Sequence, residues 1–272
     1  MEGLGDKEEM NELSLFTGLA GMTLGLRLAG LEVRTVAYCE INKYRQEVIK
    51  ARIRDGFLDD APILGDIRAC LSAGVFQQFR GLVDIVTAGF PCQAHSVAGR
   101  RRGAADDRNL WPETARVIGE VAPRYVLLEN VSGIVSNGYA LQVIGSLASL
   151  GYDCVWGIVS ARDVGATHRR NRWWCLAYAE CSRRAEAGDR CNQHAGKQFE
   201  EGSRTMVYPS TAPWPPGPQE WDRWAEVLKK WPSLEPAVCR VADGISHRVE
   251  RLKALGDGLV SPVVAEFLRR VG

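Results

Sequence analysis

Apolar and polar positions along the chain fall into two periods, one of strands and one of helices. Leu13 to Phe16 reads as a short buried strand after a polar tail, running into a small-residue turn, Thr17-Gly18-Leu19-Ala20-Gly21. Helical spacing continues from there to about Ala29. Val33 to Tyr38 is predicted as a second strand, followed by an acid, Glu40, and then a charged helix over Lys43 to Arg54. Val83 to Ala88 and Tyr125 to Leu128 are apolar strands, with helical periodicity over Leu110 to Val121 between them. Leu141 to Leu150 is predicted helical, Cys154 to Val159 strand-like, and Arg172 to Tyr178 an aromatic-rich strand. Strands alternating with helices of this length imply crossover connections on a mainly parallel sheet, an α/β doubly wound core.

The rhythm breaks near Ala179. From there to about Val238 the chain is polar and then proline-rich, with Pro209, Pro213, Pro215, Pro216 and Pro218. One amphipathic helix is predicted inside it, Gln219 to Lys230, with Trp221, Trp224 and Leu228 on one face. The stretch is expected to form a second, small lobe or a set of extended loops, and its tryptophan stripe reads better as packing than as a base-stacking platform. Val260 to Arg269 is predicted as a last helix that returns to the core. The division expected is therefore 1–178, 179–238 and 239–272.

Composition narrows the class only a little. The 272 residues are 46% hydrophobic and 25% charged, which is ordinary for a globular protein with a real core. The net charge of +1 gives no general argument for nucleic acid. A DNA-binding surface has to come from local arginine clusters, such as Arg100-Arg101-Arg102 and Arg169, Arg170 and Arg172. Arg183 and Arg184 alone read as a solvated face. Eight cysteines at irregular spacing do not make a disulfide framework. No stretch has the ~18 apolar residues of a membrane span, and the acidic start does not read as a signal peptide. A cytoplasmic protein with reduced thiols is the expectation.

The chemistry sits at strand ends. Phe16-Thr17-Gly18-Leu19-Ala20-Gly21 lets backbone approach a ligand closely, and Glu40, after the next strand, is placed to bind ribose hydroxyls. The glycine pattern is not the phosphate-binding one, so dinucleotide and adenosyl ligands both remain open on this turn alone. Asp66, in Leu64-Gly65-Asp66-Ile67, is either an acceptor for an adenine amine or a helix N-cap. Gly89-Phe90-Pro91-Cys92-Gln93 follows the Val83–Ala88 strand and presents a cysteine where a nucleophile belongs, although a lone cysteine is more often structural. Arginines 100 to 102, 108, 170 and 172 are candidates to favour its thiolate. Glu129, in Glu129-Asn130-Val131, ends a neighbouring strand, where burial raises a carboxyl's pKa and lets it hold a proton at neutral pH. A helix cap or surface ion pair is its plainer role.

Taken in order, Phe-x-Gly-x-x-Gly, Glu, Gly-Asp, Gly-Phe-Pro-Cys-Gln, Glu-Asn-Val and His168-Arg169-Arg170-Asn171-Arg172 resemble the C5-cytosine DNA methyltransferase family. The resemblance covers residues 13 to about 178 and about 239 to 268. It implies a Rossmann-like methyltransferase sheet with a small target-recognition lobe, and transfer of methyl from S-adenosylmethionine to C5 of a cytosine flipped out of double-stranded DNA. By the same resemblance Cys92 is the covalent nucleophile, Glu129 holds and protonates N3, Arg172 contacts O2, and Arg170 supports the nucleophile's loop. Phe16, Gly18, Gly21, Glu40, Ile41, Asp66, Ile67 and Pro91 are assigned to S-adenosylmethionine. Gln93, Ser96, Arg100 and Arg101 are assigned to DNA, with Gly99 and Gly103 as loop hinges. A monomer in a bacterial or phage-infected cytoplasm completes the expectation, with restriction–modification, phage self-protection and a solitary methyltransferase all open.

Four positions depart from the family's pattern. Ala20 replaces the first of two usual glycines, His95 a common phenylalanine, His168 a usual glutamine, and Asp257 a usual asparagine. Cys175, Cys181, Cys191 and His194 lack the paired Cys-x-x-Cys spacing of zinc modules, so no metal is expected. The same chemistry on a structured RNA is the alternative within catalysis, and a catalytically inactive DNA-binding homologue the alternative outside it. A nicotinamide dehydrogenase or a folate-dependent pyrimidine enzyme leaves most of the motifs unexplained.

Overall fold

Buried residues on the central strands alternate between two apolar layers. On β5 (Tyr125–Val131), Val126 and Leu128 pack into one layer, Tyr125 and Leu127 into the other. On β7 (Arg172–Ala179), Trp173, Cys175 and Ala177 face the first layer, Trp174 and Leu176 the second. A sheet buried on both faces needs helices on both sides, and the computed structural model has that three-layer arrangement. It describes residues 9–91, 109–166, 168–179, 197–198, 221–230, 250, 253–254 and 257–271.

Among the described residues the sheet has eight strands in the order β3-β2-β1-β4-β5-β7-β6-β8. Strand β1 (Met10–Leu15) pairs in parallel with β2 (Val33–Cys39) and β4 (Ile85–Ala88), β2 with the short β3 (Ile63–Leu64), and β4 with β5. Strand β7 runs antiparallel to both β5 and β6 (Tyr152–Val159). The doubly wound α/β class expected from the sequence is the one observed. The antiparallel β7 is the element that periodicity does not reveal, because direction is set by where the chain returns and not by any local pattern.

Helices α2 (Lys43–Arg54) and α4 (Trp111–Val121) form where predicted, and α6 (Tyr139–Ser149) is shifted by two residues at its start. Two short helices were given no span from the sequence: α3 (Ile67–Ser72), which the N-cap alternative for Asp66 allowed, and α5 (Gly133–Ser136). Both are too short for a 3.6-residue period to register. Strand β1 begins at Met10, not Leu13, because Glu12 sits inside the fold, fully buried. It accepts hydrogen bonds from Thr23 (2.8 Å), Thr35 (2.8 Å) and Thr87 (2.6 Å), so hydroxyls from α1 (Gly21–Leu28), β2 and β4 meet on one carboxyl. Burial pushes the Glu12 carboxyl up against the opposing pull of these three hydroxyls.

The segment read as a separate lobe contributes to the core sheet. Its strand β8 (Lys197–Gln198) pairs in parallel with β6 at Val155 and Trp156. Helix α7 (Trp221–Lys230) lies where a helix was predicted, while the side chains of Trp221, Trp224 and Leu228 lie outside the described set. The last helix, α8 (Ser261–Val271), packs on α1. Phe267 stacks on Trp174 with ring centroids 5.9 Å apart, and a Cβ added at Gly25 would stand only 2.4 Å from Val264 Cβ.

Candidate functional site

The turn after β1 is built from left-handed backbone. Phe16, Gly18 and Ala20 have φ of 51°, 59° and 58°. Only glycine takes that region without strain, so two of the three residues are held there by the surroundings. Thr17 supplies part of the hold: its N–H donates to Cys39 O (3.1 Å) and its hydroxyl to Ser14 O (3.0 Å). Ala20 is the departure noted in the sequence, and its φ supplies the physical reason that glycine is the usual residue there.

Glu40 follows β2 and is almost fully buried. One carboxylate oxygen accepts from the Gly18 N–H (2.8 Å) and the other from the Asn42 N–H (2.8 Å). Each oxygen keeps lone-pair capacity, so the group is an oriented double acceptor suited to vicinal hydroxyls. Asp66 accepts from the Arg68 N–H (2.9 Å) and caps α3. It also lines the cavity beside Glu40, so the cap and the ligand-facing position coexist in one residue.

Turn, Glu40 and Asp66 open onto one cavity of about 520 Å3. That lies within the range of small-molecule sites, roughly 300–1,000 Å3. All eight residues assigned to the cofactor from sequence line it: Phe16, Gly18, Gly21, Glu40, Ile41, Asp66, Ile67 and Pro91. Ile41 presents an exposed apolar side chain there.

The other half of the cavity is formed by Gly89, Phe90, Pro91, Glu129, Asn130 and Arg172. Glu129 Oε1 is paired to Arg172 Nε at 2.8 Å. The antiparallel course of β7 makes this pair possible: Arg172 begins its strand opposite Val131, at the edge where the parallel strands end. A parallel β7 would have started at the far edge of the sheet. Burial pushes the Glu129 carboxyl upward, while Arg172 and then Arg170 pull it down; the burial wins. A carboxyl so poised can hold a proton and leave behind a carboxylate that an adjacent guanidinium stabilises. Gly89 gives this group room, since a Cβ there would stand 3.2 Å from Glu129 Oε2.

Arg170 has a left-handed backbone (φ 41°) and donates from Nη2 to the Gly258 carbonyl. It does not line the main cavity but a small one beside it, with Glu129, Arg172, Trp174 and Leu259. Burial lowers the Arg170 pKa, and the neighbouring Arg172 adds to the shift.

Cys92, Gln93, His95, Ser96, Gly99, Arg100, Arg101, Arg102, Gly103 and Arg108 lie outside the described residues, as do Cys181, Cys191 and His194. Cys92 follows Pro91 by one peptide bond, and Pro91 lines the cavity. Cys175 is buried within β7, where burial raises its thiol pKa and disfavours a metal-binding thiolate. Among the described residues no cluster of three or more histidine, cysteine or acidic side chains is arranged to hold a metal.

Sequence reasoning missed several residues of the site. Asn130 donates from its amide to Phe90 O (2.9 Å), tying the end of β5 to the segment that leads into Cys92. It stands within the Glu-Asn-Val motif, which was a signal for it. Arg45 and Thr87 carry no such signal, and Lys253 and Leu259 reach the cavity from the far end of the chain.

Residues 10–211 match the family model described as C-5 cytosine-specific DNA methylase. The Type II methyltransferase M.CviJI of Paramecium bursaria Chlorella virus IL3A is 36% identical over 167 residues, 61% of this chain and 42% of that protein. The Type II methyltransferase M.HhaI of Haemophilus parahaemolyticus is 32% identical over 170 residues, 61% of this chain and 48% of that protein. The chain therefore spans about half the length of the curated relatives it matches. The crystal structure of the S. pombe Dnmt2 methyltransferase shares the fold at a TM-score of 0.50 and 24% identity, over 63% of this chain and 50% of that one.

Proposed function

From its place in the C-5 cytosine-specific DNA methylase family, to which the chain belongs, we propose that it methylates C5 of cytosine in double-stranded DNA, with S-adenosylmethionine as donor. One observation carries the reading. A single cavity joins the Glu40–Asp66 acceptors to the Glu129–Arg172 pair, and Pro91, the residue before Cys92, lines it.

The residues fit the donor. Glu40 offers two oriented acceptor oxygens for ribose hydroxyls, Ile41 and Ile67 an apolar wall for adenine, and Asp66 an acceptor for its amine. Phe16, Gly18, Gly21 and Pro91 complete the contact. When bound, S-adenosylmethionine supplies an electrophilic methyl group.

The protein's own groups account for the remaining chemistry. The Cys92 thiolate forms a bond to C6 of a flipped cytosine, and the C5–C6 π pair moves into the ring. Glu129 gives its proton to N3 as that charge develops, and Arg172 and Arg170 stabilise the carboxylate it becomes. Arg172 also contacts O2. The electron pair returns through C5 to take the methyl group, whose bond to the donor sulfur breaks to leave S-adenosylhomocysteine. A base then removes the C5 proton, N3 returns its proton to the Glu129 carboxylate, the C5–C6 double bond re-forms, and the Cys92 thiolate is expelled. Gln93, Ser96, Arg100 and Arg101 supply the DNA contacts in this reading.

In the same reading, residues 1–178 with 239–272 form the catalytic part and 179–238 carry target recognition. The packing of α8 on α1 supports the return of the last segment. The protein acts as a monomer in a bacterial or phage-infected cytoplasm, within restriction–modification. Among the described residues no helix is long and apolar enough to cross a membrane. Membership of a family of cytosine-specific DNA methylases favours DNA over RNA.

The test is to incubate the protein with plasmid DNA and S-adenosylmethionine and to map 5-methylcytosine base by base. New methylation at a defined sequence is expected, and none at any sequence overturns the proposal. A duplex carrying 5-fluorocytosine is expected to trap a covalent adduct with the unaltered protein and not with Cys92→Ala.

A further inference from the structure

Arg45 lies between two carboxylates from opposite ends of the chain. Its Nη2 donates to Asp257 Oδ2, and its Nη1 stands 4.0 Å from Glu40 Oε2. Glu40 is pinned by the Gly18 and Asn42 N–H groups and cannot turn away. Arg45 is 18% exposed and Asp257 55%. All three residues line the cavity.

The residues after Asp257 are fixed independently. Arg170 donates to the Gly258 carbonyl, and Leu259 lies so near Gly21 that a Cβ there would stand 3.0 Å from Leu259 Cβ. Residues 257–259 are thus held at three successive positions, from α2, from the segment before β7 and from the start of α1. Asp257 is also the position where the resembled family usually has asparagine. A neutral amide needs no cation. A carboxylate there adds a second negative charge to the wall that already carries Glu40, and the repulsion falls on the residues that close the cavity.

We propose that Arg45 is a positioning residue for the adenosyl ligand. It neutralises Glu40 and Asp257 together, and Arg45 and Asp257 form a matched pair that replaces a neutral asparagine. This rests on the reading of the cavity as the S-adenosylmethionine site.

The test is isothermal titration of the full chain with S-adenosylhomocysteine, without DNA, for the unaltered protein, Arg45→Met, Arg45→Lys, Asp257→Asn and the double variant Arg45→Met/Asp257→Asn. Arg45→Met leaves two carboxylates without their shared cation and is expected to weaken binding about tenfold. Arg45→Lys keeps the charge and is expected to stay within about threefold of the unaltered protein, and so is Asp257→Asn. The double variant is expected to recover most of the affinity lost in Arg45→Met, because an amide at 257 no longer needs a cation. Added salt is expected to narrow the gap between Arg45→Met and the unaltered protein. Unchanged binding by Arg45→Met, or a double variant no better than Arg45→Met, overturns the pairing while leaving the cofactor site intact. No binding by the unaltered protein overturns the cofactor site and the pairing with it.

Discussion

Ala20 caps α1 at φ 58° and ψ 32° with its methyl group buried. Replacing it with glycine relieves about 1–2 kcal/mol of left-handed strain. The same change loses a buried methyl worth about 0.8 kcal/mol and adds roughly 0.4–1 kcal/mol of unfolded-chain entropy. The terms nearly cancel, so Ala20→Gly is expected to stay within about 1 kcal/mol in urea unfolding. Ala20→Val adds a β-branch where φ is positive and bulk where there is no room, and is expected to cost at least about 2 kcal/mol. Glu12 carries a second prediction. Its folded pKa is raised by burial, so the folded state binds the proton more tightly than the unfolded chain. The stability this gives is complete below the unfolded carboxyl's pKa and is lost as pH rises through the folded one. Glu12→Gln removes the titration. Melting curves from mildly acidic to mildly alkaline pH are expected to show the unaltered protein losing ground to Glu12→Gln as pH increases.

Elements meet where small residues allow close approach. Helix α1 touches α8 through Gly25, and nothing larger fits against Val264 and Ser261 O. Gly25→Ala is expected to destabilise the fold by about 1–3 kcal/mol despite alanine's better helix propensity, because overpacking outweighs the propensity gain of about 1 kcal/mol. Chemical denaturation measures it. The pairing of β5 with β7 sets the other element-scale expectation. Glu129 and Arg172 face one another only because these strands run antiparallel. In the proposed reaction Glu129→Gln removes the proton donor and is expected to lower kcat about 10²–10⁴-fold. S-adenosylhomocysteine affinity is expected to change little. A matching loss of affinity would place Glu129 in ligand binding instead.

At the scale of the whole molecule, the cavity wall draws on residues 14–19, 21–22, 39–42, 45, 65–67, 87, 89–91, 110, 129–131, 172, 253–254 and 257–259. A ligand there touches both ends of the chain at once. S-Adenosylhomocysteine at 100 times its Kd is expected to stabilise the protein by about 2.7 kcal/mol. Hydrogen exchange is expected to slow together at 16–22 and 257–259. Slowing confined to the N-terminal turn would mean that the C-terminal segment takes no part in closing the site.

The family resemblance gave the eight cavity residues from Phe16 to Pro91 as one set. The amino-acid sequence by itself determined the α/β class, most strand and helix positions and the strand-end places of the Phe16–Gly21 turn, Glu40 and Asp66. Those features are local: periodicity marks a buried face, and a turn between strand and helix must bring its residues to the sheet's edge. Glu129 was legible for the same reason, as the end of an apolar strand. The direction of β7, the burial of Glu12 under three threonines and the meeting of Arg45 with Asp257 were not legible. Each depends on contacts between segments distant in sequence, Arg45 and Asp257 being 212 residues apart. A charged residue reads alike in sequence whether it faces solvent or a partner brought in by the fold. Only the tertiary structure, which sets which segments return to the sheet and in which direction, decided those pairings.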